Sequence, residues 1–210
     1  MAVGVLLADD HTIVRQAVKL LLEREGFNVV GEAGDGHQAV RLARQLQPDV
    51  AVLDLVMPLL NGVDAAREIQ QASPRTRTIL LTGRTDDDSV LKALHAGIKG
   101  CVLKSHDGPT LGHAIREVVR GHLYLDPSVS STVVGAYLSA TGPTKDPLTP
   151  RERQVLQLIA EGKKTREVAE LLCVSIKTAE SHRARIMSKL QIRETAGLVR
   201  YAIRRGLAEL

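Results

Sequence analysis

Five positions in the first half of the chain carry residue types that can do chemistry: the pair Asp9–Asp10, then Asp54, Thr82 and Lys104. Each directly follows a short apolar run, and the runs are Val3–Ala8, Ala51–Leu53, Thr78–Leu81 and Cys101–Leu103. Three carboxylates brought together repel one another, and a hard divalent cation such as Mg²⁺ relieves that repulsion. Mg²⁺ usually takes one or two carboxylates, so a third acid is left for another task. Asp54 is the candidate nucleophile, because a carboxylate can form an acyl phosphate. The cation and the Lys104 ammonium would then neutralise charge on the phosphoryl oxygens during in-line transfer, while the Thr82 hydroxyl donates a hydrogen bond to one of them. For any single acid, capping a helix at a strand end explains the residue equally well. Capping does not explain the whole set.

These side chains must be gathered by the fold. Short apolar runs alternating with helical patterns read as parallel strands of a doubly wound sheet, whose carboxyl ends share one ligand-binding edge. The intervening segments fit. Ile13, Val14, Ala17, Val18 and Leu21 keep helical spacing, with Gly26 after the last turn. Asn28–Gly31 reads as a second strand and Gly36–Leu46 as a helix. Asn61–Gly62 is a turn signal opening a helix through Ile69. A helix over Asp86–Ala96 begins with three acids and ends at Gly97, and a fifth runs from Pro109 to Arg120. A further helix is expected from Pro127 to Leu138, capped by Asp126. Ser139–Pro147, with Gly142, Pro143 and Pro147, reads as a hinge.

From Leu148 onward the pattern is helical throughout. Thr149, Pro150 and Glu152 form a capping-box arrangement ahead of Val155, Leu156 and Ile159. Thr165 opens a second helix, with a cap and a following Glu, and Ser175 opens a third that ends near Leu190. Two short helices joined by a tight turn read as a helix-turn-helix. On a helical wheel of the third helix, Ala179, His182, Ile186 and Leu190 share the buried stripe. Lys177, Glu180, Ser181, Ala184 and Ser188 lie opposite, with Arg185 on their shoulder. Small Ser and Ala side chains there allow close approach to base edges, Glu180 can accept from a cytosine amino group, and Lys177, Arg185 and Lys189 can reach phosphates.

Charge supports the division. Residues 1–125 hold 14 Lys and Arg against 15 Asp and Glu, whereas residues 148–210 hold 13 against seven. A small basic module beside a near-neutral one fits a surface facing phosphates. One Phe, three Tyr and no Trp argue against base stacking as its binding mode. Apolar content of 44% is that of a globular protein, and no stretch approaches the roughly 18 apolar residues of a membrane span. MAVGVLLADD has no basic leader, and two scattered cysteines make neither a disulfide framework nor a zinc site. The expected compartment is the reducing cytoplasm.

The run Asp54-Leu-Val-Met-Pro-Leu-Leu-Asn-Gly62, with Ala8-Asp9-Asp10-His11 before it and Val102-Leu-Lys104 after it, resembles the receiver domain of bacterial two-component response regulators over residues 1–121. Leu148-Thr-Pro-Arg-Glu-Arg153, Val168-Ala-Glu-Leu-Leu172 and Lys177-Thr-Ala-Glu-Ser-His-Arg183 resemble the LuxR-type DNA-binding domain over 148–210, leaving 122–147 as a linker with a helix at 127–139. Together they resemble response regulators of the NarL/FixJ type. That resemblance implies a flavodoxin-like parallel sheet of five strands in order 2-1-3-4-5, followed by a small all-α domain. It implies a phosphorylation-controlled transcription regulator whose Asp54 accepts phosphate from a sensor histidine kinase. Asp9, Asp10, Asp54 and the backbone carbonyl of Val56 would hold Mg²⁺, and Thr82 and Lys104 would sense the phosphate. No enzymatic activity is implied beyond phosphoryl acceptance and slow autodephosphorylation. Contact with promoter DNA would fall to Lys177, Thr178, Glu180, Ser181, Arg183, Ala184, Arg185 and Lys189, in a homodimer formed through Leu198, Val199, Ala202 and Ile203 of the last helix.

Two positions depart from the family pattern, Ser105 standing after the lysine where proline or an acid is common, and one of them matters. Cys101 stands at the switch position, three residues before the lysine, where the family usually has Tyr or Phe. A thiol cannot gate a cavity by ring rotation. The alternative reading is therefore a DNA-binding regulator whose receiver serves only dimerisation, without a phosphate switch. A magnesium-dependent phosphatase using Asp54 is a poorer alternative, because Val56 stands where its second acid would be.

Overall fold

The computed structural model describes residues 2–83, 90, 93–105, 108–127, 130 and 147–208. The chain divides into two compact units, residues 1–140 and 141–210. Unit one contains β1 (Gly4–Ala8), α1 (Thr12–Arg24), β2 (Asn28–Ala33), α2 (Gly36–Leu46), β3 (Val50–Asp54), α3 (Gly62–Ala72), β4 (Arg77–Thr82), β5 (Gly100–Leu103), α4 (Gly108–Val119) and β6 (Tyr124–Leu125). Residues 90 and 93–95 are helical, and the rest of the helix expected over Asp86–Ala96 lies outside the described residues. The same holds for most of the expected helix at 127–139 and of the hinge.

All pairings are parallel, and the sheet order is β2-β1-β3-β4-β5-β6. The expected order 2-1-3-4-5 is present, and β6 extends it by a sixth strand from residues expected to begin the linker. Tyr124 and Leu125 pair with Gly100 and Cys101, too short a stretch to leave a periodic signal in sequence.

The strands are nearly uninterrupted apolar runs because both faces of the sheet are covered. Leu6, Ala8, Ala51, Leu53 and Leu80 pack with Ala39 and Ala43 of α2 and Ala65, Ala66 and Ile69 of α3. Val5, Leu7, Val52, Ile79, Leu81 and Val102 pack on the other side with Leu22 of α1 and Leu111, Ala114, Ile115 and Val118 of α4. Helix α1 meets the sheet on a different edge from the expected stripe. It buries Leu22 and half-buries Val18, while Ile13 is 83% and Leu20 60% exposed. Arg15 and Lys19 both turn toward β2, where Glu32 pairs with them at 3.4 and 2.7 Å.

Unit two contains α5 (Pro150–Ala160), α6 (Thr165–Leu171), α7 (Ile176–Leu190) and α8 (Thr195–Arg204). Helix α5 opens with the expected capping box, Thr149 N–H donating to Glu152 Oε2 at 2.8 Å and Glu152 N–H to Thr149 Oγ1 at 3.3 Å. The cap of α6 is Lys164 rather than Thr165; its N–H is satisfied by Glu167 Oε2 at 2.7 Å. Ser175 caps α7, accepting from the Thr178 N–H at 3.1 Å. Cys173 takes a left-handed conformation (φ 53°) in the turn between α6 and α7. Leu156, Leu158, Val168, Ala169, Ala179, Ile186, Leu198 and Ala202 make the small core.

Candidate functional site

Strand register fixes the first site. Ala8 pairs with Leu53, Asp54 with Leu81 and Thr82 with Leu103, so the chemistry-bearing residues leave the sheet along one rim. The Lys104 N–H donates to the Thr82 carbonyl at 2.8 Å, holding those two side by side. The loop after Asp54 is drawn under the rim by two glycines. A Cβ on Gly62 would meet the Asp54 carbonyl oxygen at 2.1 Å, and one on Gly36 the Leu60 carbonyl oxygen at 2.0 Å. Gly62 is thus required by close backbone approach, with Asn61 capping α3 through the Asp64 N–H. Leu59 in this loop holds φ 68°, a conformation that L side chains seldom adopt.

Asp9, Asp54 and Thr82 are all buried. The Lys104 ammonium lies 2.6 Å from Asp54 Oδ2 and 2.8 Å from Asp9 Oδ2. Burial pushes the Asp54 carboxyl up to about 6, against the opposing pull of Lys104 and with the help of Asp9 and Asp10. Burial acts against the Lys104 charge too, but its hydrogen bond to Asp54 and the nearby Asp9 carboxylate outweigh this and hold its pKa above the ordinary lysine value. Asp9 Oδ1 accepts the His11 N–H at 2.8 Å, whereas buried Oδ2 receives no well-directed hydrogen bond despite its nearness to Lys104. Asp10 is more exposed and lies 2.9 Å from His11 Nδ1.

Asp9, Asp10, His11 and Asp54 can each offer a ligand atom within 4.8 Å of the others. One ammonium offsets only part of three carboxylates, and the under-satisfied Asp9 oxygen faces the same space. This donor set fits a hard divalent cation. The structure therefore brings Asp9, Asp10, Asp54 and Lys104 together, with Thr82 beside Lys104 through the backbone. Val56 follows in the loop, half-buried against the apolar cluster. Two participants were not read from sequence. His11 stands at the lip, and Arg15 Nη1 donates to the Asp9 carbonyl at 2.5 Å. The local sequence offers no signal for a contact that depends on where α1 sits.

Cys101 is packed in the core beside β6, its carbonyl accepting the Asp126 N–H at 3.0 Å. Burial, with Asp126 adding to it, pushes the thiol up to about 12. This is inert packing rather than the low-pKa, accessible setting of a redox sensor.

In the second unit, α7 buries Ala179 and Ile186 and exposes Lys177, Thr178, Glu180, Ser181, Ala184 and Arg185. This face is the expected one. Two members of the expected set are engaged within the domain instead. Lys189 pairs with Glu152 at 2.6 Å, and Arg183 Nη2 donates to Thr195 Oγ1 at 2.7 Å. The last helix also needs correction: Leu198 and Ala202 are fully buried in the domain core and offer no dimer contact, whereas Val199 and Ile203 remain partly exposed.

Comparison with known proteins agrees with this geometry. The response regulator receiver domain family matches residues 5–116, and the luxR family of bacterial regulatory proteins matches residues 146–202. The oxygen regulatory protein NreC of Staphylococcus carnosus is 36% identical over 98% of this chain and 99% of its own length. The transcriptional regulatory protein LiaR of Bacillus subtilis is 38% identical over the same shares. Among solved structures, the RcsB response regulator of Salmonella typhimurium is 29% identical with a TM-score of 0.69, covering 97% of this chain and 98% of its own. An RcsB–DNA complex is 30% identical with a TM-score of 0.61, covering 98% and 99%. With an acidic rim on a doubly wound sheet, a helix-turn-helix later in the sequence and relatives alike over almost the full length, the chain belongs to the NarL/FixJ-type two-component response regulators, which control transcription under phosphorylation.

Proposed function

We propose that Asp54 is the phosphoacceptor, taking its phosphoryl group from the phosphohistidine of a sensor histidine kinase. The observation that carries this reading is the Lys104 ammonium between Asp54 and Asp9 at 2.6 and 2.8 Å. An Asp54 oxygen attacks phosphorus in line, the histidine nitrogen leaves, and Lys104 stays in place to neutralise the product oxygens. The Thr82 hydroxyl, one strand away, donates to one of them. Asp9, Asp10, Asp54 and the Val56 carbonyl would hold Mg²⁺, which supplies charge neutralisation at the rim when bound. Phosphoryl transfer then favours a homodimer that aligns two α7 helices on promoter DNA in the cytoplasm. Lys177 and Arg185 contact phosphates, while Thr178, Glu180, Ser181 and Ala184 face base edges. Val199 and Ile203 are the parts of the last helix left for the two-fold contact. In this reading 1–121 is the receiver, 122–147 the linker, whose first residues add β6 to the sheet, and 148–210 the DNA-binding domain.

Labelling with acetyl phosphate and Mg²⁺ tests the acceptor. Asp54→Asn should abolish it, and persistent labelling of that variant would refute the assignment. Promoter affinity measured with and without beryllofluoride separates a phosphate switch from a receiver that only dimerises; equal affinities would favour the latter.

A further inference from the structure

The end of the sheet opposite the acidic rim carries a cleft of about 510 Å³, lined by Asp49, Gln70, Gly97 and three cations, Arg75, Arg77 and Lys99, together with the segment between them. We infer that this cleft binds a small anion bearing phosphate groups. Three like charges lining one cavity repel one another, just as the carboxylates do at the other rim. None of the three has an ion pair or side-chain hydrogen bond within the described residues; Arg77 is half-buried in that condition, while Arg75 and Lys99 are exposed at the cleft mouth. The cleft's one acid, Asp49, accepts the Gly4 N–H on Oδ2 at 2.7 Å and offers one negative charge against three positive ones.

The walls are fixed in place. Thr76 Oγ1 donates to the Pro48 carbonyl at 2.6 Å and shares a 2.7 Å hydrogen bond with Ser73 Oγ, which holds the turn carrying Arg75. The Gln70 carboxamide lies against Gly97: a Cβ there would sit 2.9 Å from Oε1 and 3.1 Å from Nε2. Gly97 also has φ +84°, a conformation that L side chains rarely adopt, so the backbone there requires glycine. Two planar guanidiniums, an ammonium and a carboxamide together match the oxygens of a phosphate or diphosphate group. The volume falls in the range of about 300–1,000 Å³ typical of small-molecule clefts. Nothing in this inference depends on Asp54. The cleft does sit at the amino ends of β4 and β5, whose carboxyl ends carry Thr82 and Lys104, so an occupant would brace the two strands that sense the phosphoryl group.

The test is a titration of the full-length ¹⁵N-labelled protein in EDTA, with inorganic pyrophosphate and, in parallel, with ADP. The amide signals of Arg77, Thr78, Gly97 and Lys99 should move saturably, with Kd of about 1 mM or tighter. In the Arg77→Gln/Lys99→Gln double variant, folded as judged by signal dispersion, affinity at these amides should fall at least about tenfold. Tighter binding of ADP assigns an organic phosphate and tighter binding of pyrophosphate an inorganic one; either result supports the site. Absence of saturable shifts with both compounds overturns it. So does equal affinity in the double variant, or movement confined to residues 148–208.

Discussion

Lys104 Nζ and Asp54 Oδ2 are 2.6 Å apart, yet the carboxyl of Asp54 still titrates near 6 because burial dominates the contact. The folded state thus holds this proton more tightly than the unfolded chain, whose value is close to 3.8. Stability from this group is greatest at acid pH, falls as pH rises between those two values, and stays low above them. The difference amounts to about 3 kcal/mol at neutral pH. Asp54→Asn should recover part of it, on the order of 1–2 kcal/mol because Lys104 loses a partner, and so raise Tm by roughly 3–6 °C at pH 7.5. Near pH 4 the variant and the parent should melt almost together. Acetyl-phosphate labelling of the parent should slow below pH 6 as the nucleophile protonates. An equal or lower Tm for the variant at pH 7.5 would contradict this account.

Arg15 acts on the same pocket without touching the reacting atoms. Its Nη1 holds the Asp9 carbonyl at 2.5 Å, and Glu32, steadied by Lys19 at 2.7 Å, faces its Nε. The guanidinium fixes the loop carrying Asp9 and Asp10 and places positive charge behind three acids. Groups that orient metal ligands typically affect affinity by about tenfold or more. Arg15→Gln should therefore raise the Mg²⁺ concentration for half-maximal labelling about tenfold and leave the rate at saturating Mg²⁺ nearly unchanged. Arg15→Lys should recover part of the loss. An unchanged Mg²⁺ half-point with a lowered maximal rate would point to general disruption instead.

The two cysteines should behave as opposites. Cys101 is buried with its thiol pushed up to about 12, while Cys173 is exposed in the helix-turn-helix turn. Thiolate is the reactive form, so iodoacetamide at pH 7.5 should modify Cys173 alone in the native protein and both residues in denaturant. Mass spectrometry after digestion reads this directly. Rapid native alkylation of Cys101 would contradict its assignment to the inert core.

The acidic rim was legible in sequence because parallel strands reduce a three-dimensional gathering to a simple rule: look at the residue after each apolar run. The glycines were legible as signals but for a different reason, since Gly62 answers a close approach to Asp54 rather than a turn. Other features depended on partners far along the chain. Helix α1 packs through Leu22 and pairs Arg15 and Lys19 with Glu32 on β2. Strand β6 has only two residues, and Leu59 enters the left-handed region with no glycine to announce it. In the last helix, periodicity identified an apolar stripe but could not divide it between core and partner. Leu198 and Ala202 went to the core.

Lys189 shows the same limit and gives a sharp contrast with Lys177. Both are exposed lysines on the helix expected to face DNA, but Lys189 lies 2.6 Å from buried Glu152, which also completes the capping box of α5. Glu152 is held below the usual glutamate value: burial works to raise it, but the Lys189 contact and the Thr149 backbone N–H together outweigh that. Lys189→Ala leaves a buried carboxylate without its cation, which should cost about 1 kcal/mol of domain stability. DNA affinity should change little. Lys177 has no such partner among the described residues, so Lys177→Ala should leave Tm unchanged. It should weaken binding to promoter and random DNA alike and reduce the salt slope by about one. Glu152→Gln with Lys189→Ala should restore most of the stability lost by the lysine change alone, because the buried group is then neutral. If Lys189→Ala instead matched Lys177→Ala in DNA affinity and melting, the ammonium would belong to the DNA surface and not to the fold.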